Sequence, residues 1–508
     1  MQKHFFFILV FILLALPSIC QHKEVLQENY SISEKKTPIY QVLLKLTAKT
    51  GYNFSYNSDL INDEKPVTLE LKNYPLKHII DTLFQDSSLV YNVIKNHIVI
   101  HKRNKTPDTS SSLKKQTAHI LIQGTVLSEV KQKPLPYATI GLKNQPLGTI
   151  ANNDGEFIFK INREFLDDTL IISNIGYENK MIPLEEIRET DQIFFLQEKL
   201  YSIQEVIVRT RDPYLILRRA MKQKSGNYYT QRPVFLTSFY RETIKKEERF
   251  FSVSEALIKI YQPNKKIFQT PRITVLKSRK TIDYSRKDSI MVKLKAGLEA
   301  ILYLDIVNEG ISFLDVSNQN LYSYTLEDIS YFDGKDAYVI RFQPKGETDF
   351  PLYTGKVYVE IESLAIIGAE FHLNRNNLRK ISESLIIKKK WDIKVRPKST
   401  SYFINYKKSN GKYHLNHIRG DLVFKIRKRG ELFGEDFKVS FEMATNNINL
   451  KDSDKFGNMK TAPVHKIFIE QISSYDPSFW GDYNYIKPDE PIKQTIEKLN
   501  SKIQMLEE

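Results

Sequence analysis

Between residues 234 and 448 the chain keeps a two-residue alternation of apolar and polar side chains, broken by short turn signals. Strict alternation puts one set of side chains on each face of a sheet. Asp333-Gly334 lies between Ile329–Phe332 and Tyr338–Phe342, and Asn410-Gly411 lies between Tyr402–Tyr406 and Tyr413–Leu415. Both dipeptides favour the positive φ angles of two-residue hairpins. Tyr353 to His372 reads as a further strand pair, with Val357, Val359 and Ile361 alternating against Tyr358 and Glu360. The expectation over 209–485 is therefore a large antiparallel β domain, almost all strand after a helix begun by Asp212-Pro213, with Tyr214, Leu217 and Met221 on its apolar side. Pro491 opens an amphipathic helix within 486–508, with Ile492, Ile496, Leu499 and Ile503 on one stripe.

Two smaller regions precede this block, as expected for 508 residues, too many for one core. Over 37–102, Ile39, Val42, Leu43 and Leu46 recur at helical spacing after Thr37-Pro38, read as N-cap and first-turn proline, and Gly51 ends the helix. Asn53–Tyr56 and Val67–Leu71 read as strands. Leu76, Ile79, Ile80 and Leu83 form a second helical stripe, and strands follow at Leu89–Ile94 and His97–His101. A polar linker over 103–118 has no apolar period. From 119 to 208 about seven short strands are spaced as in a β-sandwich, with Phe157 and Phe159 on one face. The fold class is thus multidomain and mainly β: a small α+β domain, a seven-strand sandwich, then a large antiparallel domain with flanking helices.

Leu43, Gly51, Val67-Thr68-Leu69, Pro75-Leu76, Leu83, Leu89-Val90-Tyr91 and Ile98-Val99-Ile100 stand where the secretin and TonB short N-terminal (STN) domain has its apolar positions. Residues 37–102 resemble that family, which implies a periplasmic protein-interaction module. Gly124-Thr125-Val126, Pro134-Leu135-Pro136-Tyr137-Ala138, Gly148-Thr149, Asn153-Asp154-Gly155-Glu156-Phe157 and Ser173-Asn174-Ile175-Gly176-Tyr177 resemble the carboxypeptidase-regulatory-like domain, as does the closing run 200–208. That resemblance implies an accessory transthyretin-like sandwich, frequent in exported Bacteroidetes proteins, without a peptidase's metal ligands. Phe239-Tyr240-Arg241-Glu242, Tyr338–Phe342 and Tyr353–Val359 resemble Bacteroidetes envelope proteins that carry the same sandwich, and more faintly the open half-barrel of lipoprotein-sorting carriers.

Export is expected. Lys3 and His4 precede an apolar run from Phe5 to Leu16, shorter than the ~20 residues that span a bilayer, and Ser18 and Cys20 suit cleavage before Gln21. Ile19 is large for the position before an acylated cysteine, so a signal peptide over 1–20 is preferred to lipidation of Cys20. The single cysteine then leaves no disulfide, thiol nucleophile or Cys-based metal site. Net charge is +15, and the stretch 375–429 holds 17 basic and 3 acidic residues. A solvated sheet face explains such a block, and so does contact with anionic lipid or lipopolysaccharide. Nucleic acid is not an expected partner, since no recognition motif accompanies the charge.

No catalytic, cofactor-binding or metal-ligating residue is nominated. His97 and His101 would lie on one strand face ~13 Å apart, too far to share an ion. His414 and His417, three apart on a strand, are expected on opposite faces. Asn152, Asn153 and Asp154 could offer oxygens to calcium, but an Asn-Asp-Gly turn accounts for the same residues. Arg241 and Glu242 should point to opposite faces, with Arg241 in a buried structural contact. The resulting expectation is a non-enzymatic envelope protein, in the periplasm or at the outer membrane, that holds an envelope partner and needs no cofactor. The alternatives are a lipid or lipoprotein carrier and a truncated TonB-dependent receptor. A receptor barrel of about 22 strands plus a plug needs far more than the ~300 residues left.

Overall fold

The computed structural model describes residues 25–56, 65–86, 89–94, 97–102, 119–187, 191–199, 201, 212–247, 249–264, 270–282, 292–294, 297–380, 386–389, 391–450, 461–462, 480–481 and 483–496. The leader with Cys20, the linker, the run 202–208 and the helix positions Leu499 and Ile503 lie outside them. The chain forms two compact units, Met1–Lys114 with Glu507–Glu508, and Lys115–Leu506.

The first unit contains β1 (Asn29–Pro38), α1 (Ile39–Thr50), β2 (Asn53–Tyr56), β3 (Pro66–Pro75), α2 (Leu76–Phe84), β4 (Leu89–Ile94) and β5 (His97–Lys102). Gly51 ends α1 in the left-handed region, φ 73°, as its lack of a Cβ allows. The stripe Leu76, Ile79, Ile80 and Leu83 is buried as expected, against Val42, Leu46 and Ile98. Two features correct the sequence reading. Thr37 and Pro38 also close β1, and Pro38 instead of Thr37 holds the N-cap position of α1, with no side-chain cap, while the Thr37 hydroxyl donates to Glu34. The strand β1, unforeseen, pairs antiparallel with β3, while β2 and β4 flank β5 in a separate sheet.

The second unit opens with seven strands: β6 (His119–Ser128), β7 (Thr139–Leu142), β8 (Gly148–Ile150), β9 (Glu156–Asn162), β10 (Thr169–Ser173), β11 (Lys180–Pro183) and β12 (Gln192–Leu196). They form a four-stranded sheet, β11-β10-β7-β8, over a three-stranded one, β12-β6-β9. Between them lie Ile122, Val126, Ile140, Phe157, Phe159, Leu170 and Phe194. The Asn-Asp-Gly turn is held from within, since Asn152 Oδ1 accepts from the backbone N–H of Asp154 (3.0 Å) and Glu156 (2.8 Å). Gly155 sits at φ 73°, where a Cβ would lie 2.5 Å from the Val126 carbonyl oxygen.

The remainder is α3 (Pro213–Lys222), α4 (Lys224–Asn227), β13 (Val234–Lys246), β14 (Arg249–Gln262), β15 (Arg272–Ile282), β16 (Val292–Leu294), α5 (Leu298–Tyr303), α6 (Ile306–Glu309), β17 (Tyr322–Phe332), β18 (Lys335–Pro344), β19 (Tyr353–Glu360), β20 (Ile366–Leu373), α7 (Arg375–Lys380), β21 (Ile386–Lys389), β22 (Ile393–Ser409), β23 (Lys412–Lys428) and β24 (Glu435–Asn449). Ten of these strands make one antiparallel sheet in the order β15-β14-β13-β24-β23-β22-β20-β19-β18-β17. Both foreseen hairpins are present, with positive φ at Asp333, Gly334, Asn410 and Gly411. Asp212 caps α3 by accepting from the Tyr214 N–H, although the buried face centres on Ile216, Leu217 and Ala220 and leaves Tyr214 and Met221 half-buried. The block is less uniformly β than its alternation suggested, because α5 and α6 interrupt it. The sheet is open, with β15 and β17 as its edges among the described residues, whereas a barrel that crosses a bilayer has none. No helix among the described residues is long and apolar enough to cross a membrane.

Candidate binding surfaces of the ten-stranded sheet

Directly paired residues share a face, so cross-strand register separates the two faces of the sheet. One row runs Ser278, Ala256, Tyr240, Met443, Ile418, Ile404, Ala369, Val357, Ile340, Leu326 across all ten strands. The next row, one residue along each strand, runs Arg279, Glu255, Arg241, Glu442, Arg419, Phe403, Glu370, Lys356, Arg341, Thr325. The first is apolar but for its terminal serine and the Tyr240 hydroxyl. The second carries eight charges. A one-residue slip would exchange them, so the register is strongly specified.

Helical segments cover the apolar face. Ile216 and Leu217 of α3, Leu298 and Ile301 of α5, Ile306 and Val307 of α6, and then Ile311, Phe313 and Leu314 all join its core. Phe313 stacks on Phe342, with ring centroids 4.0 Å apart, and meets Phe371 edge-on at 5.1 Å. Tyr324 donates to the Phe313 carbonyl (2.9 Å), and the Tyr322 and Ser312 hydroxyls lie 2.8 Å apart. The concavity an apolar cargo would need is thus occupied by the chain's own side chains. At the margin a small cleft is lined by Ile260, Ile301, Leu302 and Leu415 with Gln262, Asp305 and Asn308.

Asp305 anchors the cover. Its carboxylate accepts from Tyr406 Oη (2.9 Å), Asn308 Nδ2 (2.7 Å) and Gln262 Nε2 (2.6 Å). Burial pushes its pKa up, and the Asn308 and Tyr406 hydrogen bonds oppose the shift. Glu360, also buried, accepts from Tyr413 Oη (2.9 Å) and from the Ser363 hydroxyl. Glu242 is different. It is buried on the apolar face, where the Tyr240 hydroxyl donates to it at 3.0 Å. Burial raises its pKa to about 7, with the Tyr240 bond pulling the other way. Because the folded value lies above the unfolded one, the protonated acid favours the fold. That contribution is present below the ordinary glutamate pKa and is lost as pH rises through about 7. A shift of this size corresponds to about 3 kcal/mol. Glu242→Gln is therefore expected to be more stable than the parent at pH 8 and similar to it at pH 4.5. Thermal melts of both proteins across that range check this, and an unchanged difference between them would refute it.

On the opposite face lies a ladder of ion pairs. Arg241 donates from Nε to Glu255 (2.8 Å), from Nη1 to Glu442 (2.9 Å) and from Nη2 to the Ile486 carbonyl (2.6 Å). Arg279 Nε takes the other Glu255 oxygen at 2.7 Å, and Arg419 reaches Glu442 at 3.6 Å and Asp421 at 3.0 Å. Burial alone would raise the Glu255 pKa, but Arg241 and Arg279 hold it below the usual carboxylate range. Arg241 and Glu242 thus face opposite ways, and Arg241 makes the buried contact expected of it.

The sandwich and the chain's return segment cover this face. Ile150, Phe239, Leu257, Ala444, Trp480 and Ile486 form one apolar cluster, and Trp480 stacks on Tyr485 at 5.1 Å. Asn416 Nδ2 donates to Thr139 Oγ1 (3.2 Å), and Gly176 N–H donates to the Tyr331 carbonyl (2.7 Å). Ile492 and Ile496, the described half of the terminal stripe, bury against Val253. His414 and His417 correct the expectation of opposite faces. Asn405 pairs with His417 and Tyr406 with Leu415, so Asn416 is an extra residue that restores both histidines to the sandwich side. Burial, aided by Lys407 and Arg419 respectively, lowers both pKa values to about 3, so both rings are neutral. His417 lies between Tyr137 and Phe403 at 5.4 and 5.6 Å. No cluster of three or more metal-ligating side chains occurs among the described residues. Asn152 and Asp154 act in their turn, as the turn reading had it.

Comparison with known proteins assigns two regions. Residues 52–102 match the family model of the secretin and TonB N terminus short domain, and residues 122–208 match that of the CarboxypepD_reg-like domain. No curated protein matches the chain. Similar solved structures include a putative outer membrane lipoprotein-sorting protein domain from Vibrio parahaemolyticus (10% identity, 47% of this chain and 96% of that chain, TM-score 0.22). A DUF1329 family protein from Desulfovibrio piger (14% identity, 48% and 95%, TM-score 0.21) and a structure of lipid–protein interactions in lipovitellin (8% identity, 44% and 26%, TM-score 0.21) are also similar. Scores this low do not establish a shared fold.

Proposed function

We propose that the chain is a non-enzymatic binding protein of the cell envelope, acting in the periplasm or at the outer membrane. The observation that carries this reading is the tandem of two binding-type modules, matched over 52–102 and 122–208, joined to a sheet whose charged face packs into structural pairs. The modules supply surfaces for protein partners, and the ten-stranded sheet supplies the body on which the sandwich is fixed. Cell fractionation followed by cross-linking of the native protein tests the proposal. Recovery in envelope fractions with a cross-linked envelope protein is expected. Recovery in the cytoplasm, or reproducible hydrolysis of peptide or glycan by the purified chain, would sink it.

A second reading is favoured by one specific observation, the row under the helical cover that is apolar from Met443 to Leu326. A sheet with such a face could receive a lipid chain if the cover shifted, and an apolar cargo would take the place of Phe313 and its neighbours. Full-length protein purified from cells and analysed by native mass spectrometry should then carry lipid. Absence of lipid, together with no uptake from added vesicles, would reject this reading and leave the first intact.

A further inference from the structure

Three turns meet at one end of the sheet: the one before β22, the β23–β24 turn and the β13–β14 turn. The Arg429 N–H donates to the Asp392 carbonyl at 2.7 Å, and the Glu247 N–H donates to the Asp436 carbonyl at 2.7 Å. At the tips stand Trp391, Leu432 and Phe433, which are 85%, 86% and 84% exposed. Most large apolar side chains in this unit are buried, so three such residues displayed together on adjoining turns call for a partner.

The charge around them is one-sided. Residues 391–398 and 425–436 hold seven basic and four acidic residues, and Lys388-Lys389-Lys390 immediately precedes Trp391 in sequence. Two of the acids are already committed, Glu435 to Lys246 and Asp436 to Lys398. Lys394, Arg396, Lys425, Arg427, Lys428 and Arg429 are all exposed. Lys394 lies directly opposite Arg427, and Arg396 directly opposite Lys425. Like charges directly opposed destabilise a sheet. A fold that served only its own stability would gain by replacing one of each pair.

We infer that this end of the sheet docks on an anionic phospholipid bilayer, with Trp391, Leu432 and Phe433 entering the interface and the surrounding lysines and arginines meeting phosphates. The shape of the patch favours a membrane over a protein. Its apolar groups project from turn tips instead of lining a groove, tryptophan is suited to the boundary between headgroup and acyl chain, and a basic rim fits an anionic leaflet. Insertion needs no change in the apolar face of the sheet. The inference deepens the partner chemistry of an envelope protein and is independent of the second, apolar-cargo reading.

The chain has two tryptophans, and Trp480 is buried, so a change in fluorescence on vesicle binding reports Trp391. The full-length protein is mixed with phosphatidylcholine vesicles with and without about 30% phosphatidylglycerol, which makes the surface an anionic leaflet. A blue shift and binding only with the anionic vesicles, weakened at least tenfold by 0.5 M salt, are expected. Trp391→Phe should abolish the blue shift while retaining binding. Leu432→Ser/Phe433→Ser and Lys394→Ser/Arg427→Ser, all at exposed positions, should each reduce binding at least tenfold, the first with an unchanged melting temperature and the second with one equal to or above the parent's, since it removes an opposed pair of like charges. Absence of vesicle binding overturns the inference and leaves an acidic protein as the partner of this patch. Binding that the Leu432/Phe433 variant leaves unchanged overturns it too, since charge alone would then explain the association. Neither result bears on export, which fractionation tests separately.

Discussion

Arg241→Met will lower the unfolding free energy by about 3–5 kcal/mol, the cost of stranding buried charge. Arg241 is 2% exposed, and its three hydrogen-bonded partners come from β14, β24 and the return segment. Methionine replaces the aliphatic stem but not the guanidinium, and leaves Glu255 and Glu442 without their shared cation. Glu255 keeps Arg279, and Glu442 keeps only the longer 3.6 Å contact with Arg419, so Glu442 loses more. Adding Glu442→Gln to the variant should therefore recover part of the loss. The parent's own acid limb has the matching sign. Glu255 has a depressed folded pKa, so its contribution is present above the ordinary glutamate value and disappears as pH falls through the folded one. Equilibrium denaturation in urea at pH 7 and pH 4 measures all three proteins. A loss under about 1 kcal/mol for Arg241→Met would mean that the ladder is no more than a surface pair in strength.

Phe313→Ala is the second large effect. Phe313 is fully buried and meets the rings of Phe342, Tyr353 and Phe371. Phenylalanine-to-alanine changes in well-packed cores cost about 3–5 kcal/mol. Here the loss should fall mainly on the cover. Residues 298–314 are tied to the sheet by a few polar anchors, chiefly Asp305 to Tyr406 and Gln262. Hydrogen exchange should therefore accelerate across 298–321 and leave β13, β23 and β24 protected, and an environment-sensitive apolar dye should bind the variant more than the parent. If protection fell equally through the ten strands, the cover would be an inseparable part of the core. The apolar-cargo reading would then have no moving part.

Much of this was legible in the chain. The Asp333-Gly334 and Asn410-Gly411 hairpins could be read because two-residue turns demand φ angles that few residues tolerate. The sandwich could be read from Phe157, Phe159 and the Asn-Asp-Gly turn. Other features depend on partners distant in sequence. The ladder exists only because Arg241 stands beside Glu442, a register no local pattern announces. β1 is not legible because only Tyr30 and Ile32 alternate before Glu34, Lys35 and Lys36 break the pattern. The helical cover does not stand out from the β block in sequence, as Leu298, Ile301, Leu304 and Ile306 sit among strands of similar composition. The extra residue at Asn416 left no sequence sign, and with it went the faces of His414 and His417.

The pairing of β13 with β24 also governs how the molecule can be made. These neighbours at the middle of the sheet are the first and the last of its strands along the chain. Until residue 449 is available, β13 and β23 each present a raw edge, and bringing such remote segments together carries a loop-closure cost before any contact repays it. A nascent chain stalled before β24 would hold two incomplete half-sheets with sticky borders, prone to pair with a neighbour's. Completion of the sheet therefore waits for β24, after the other nine strands have been made.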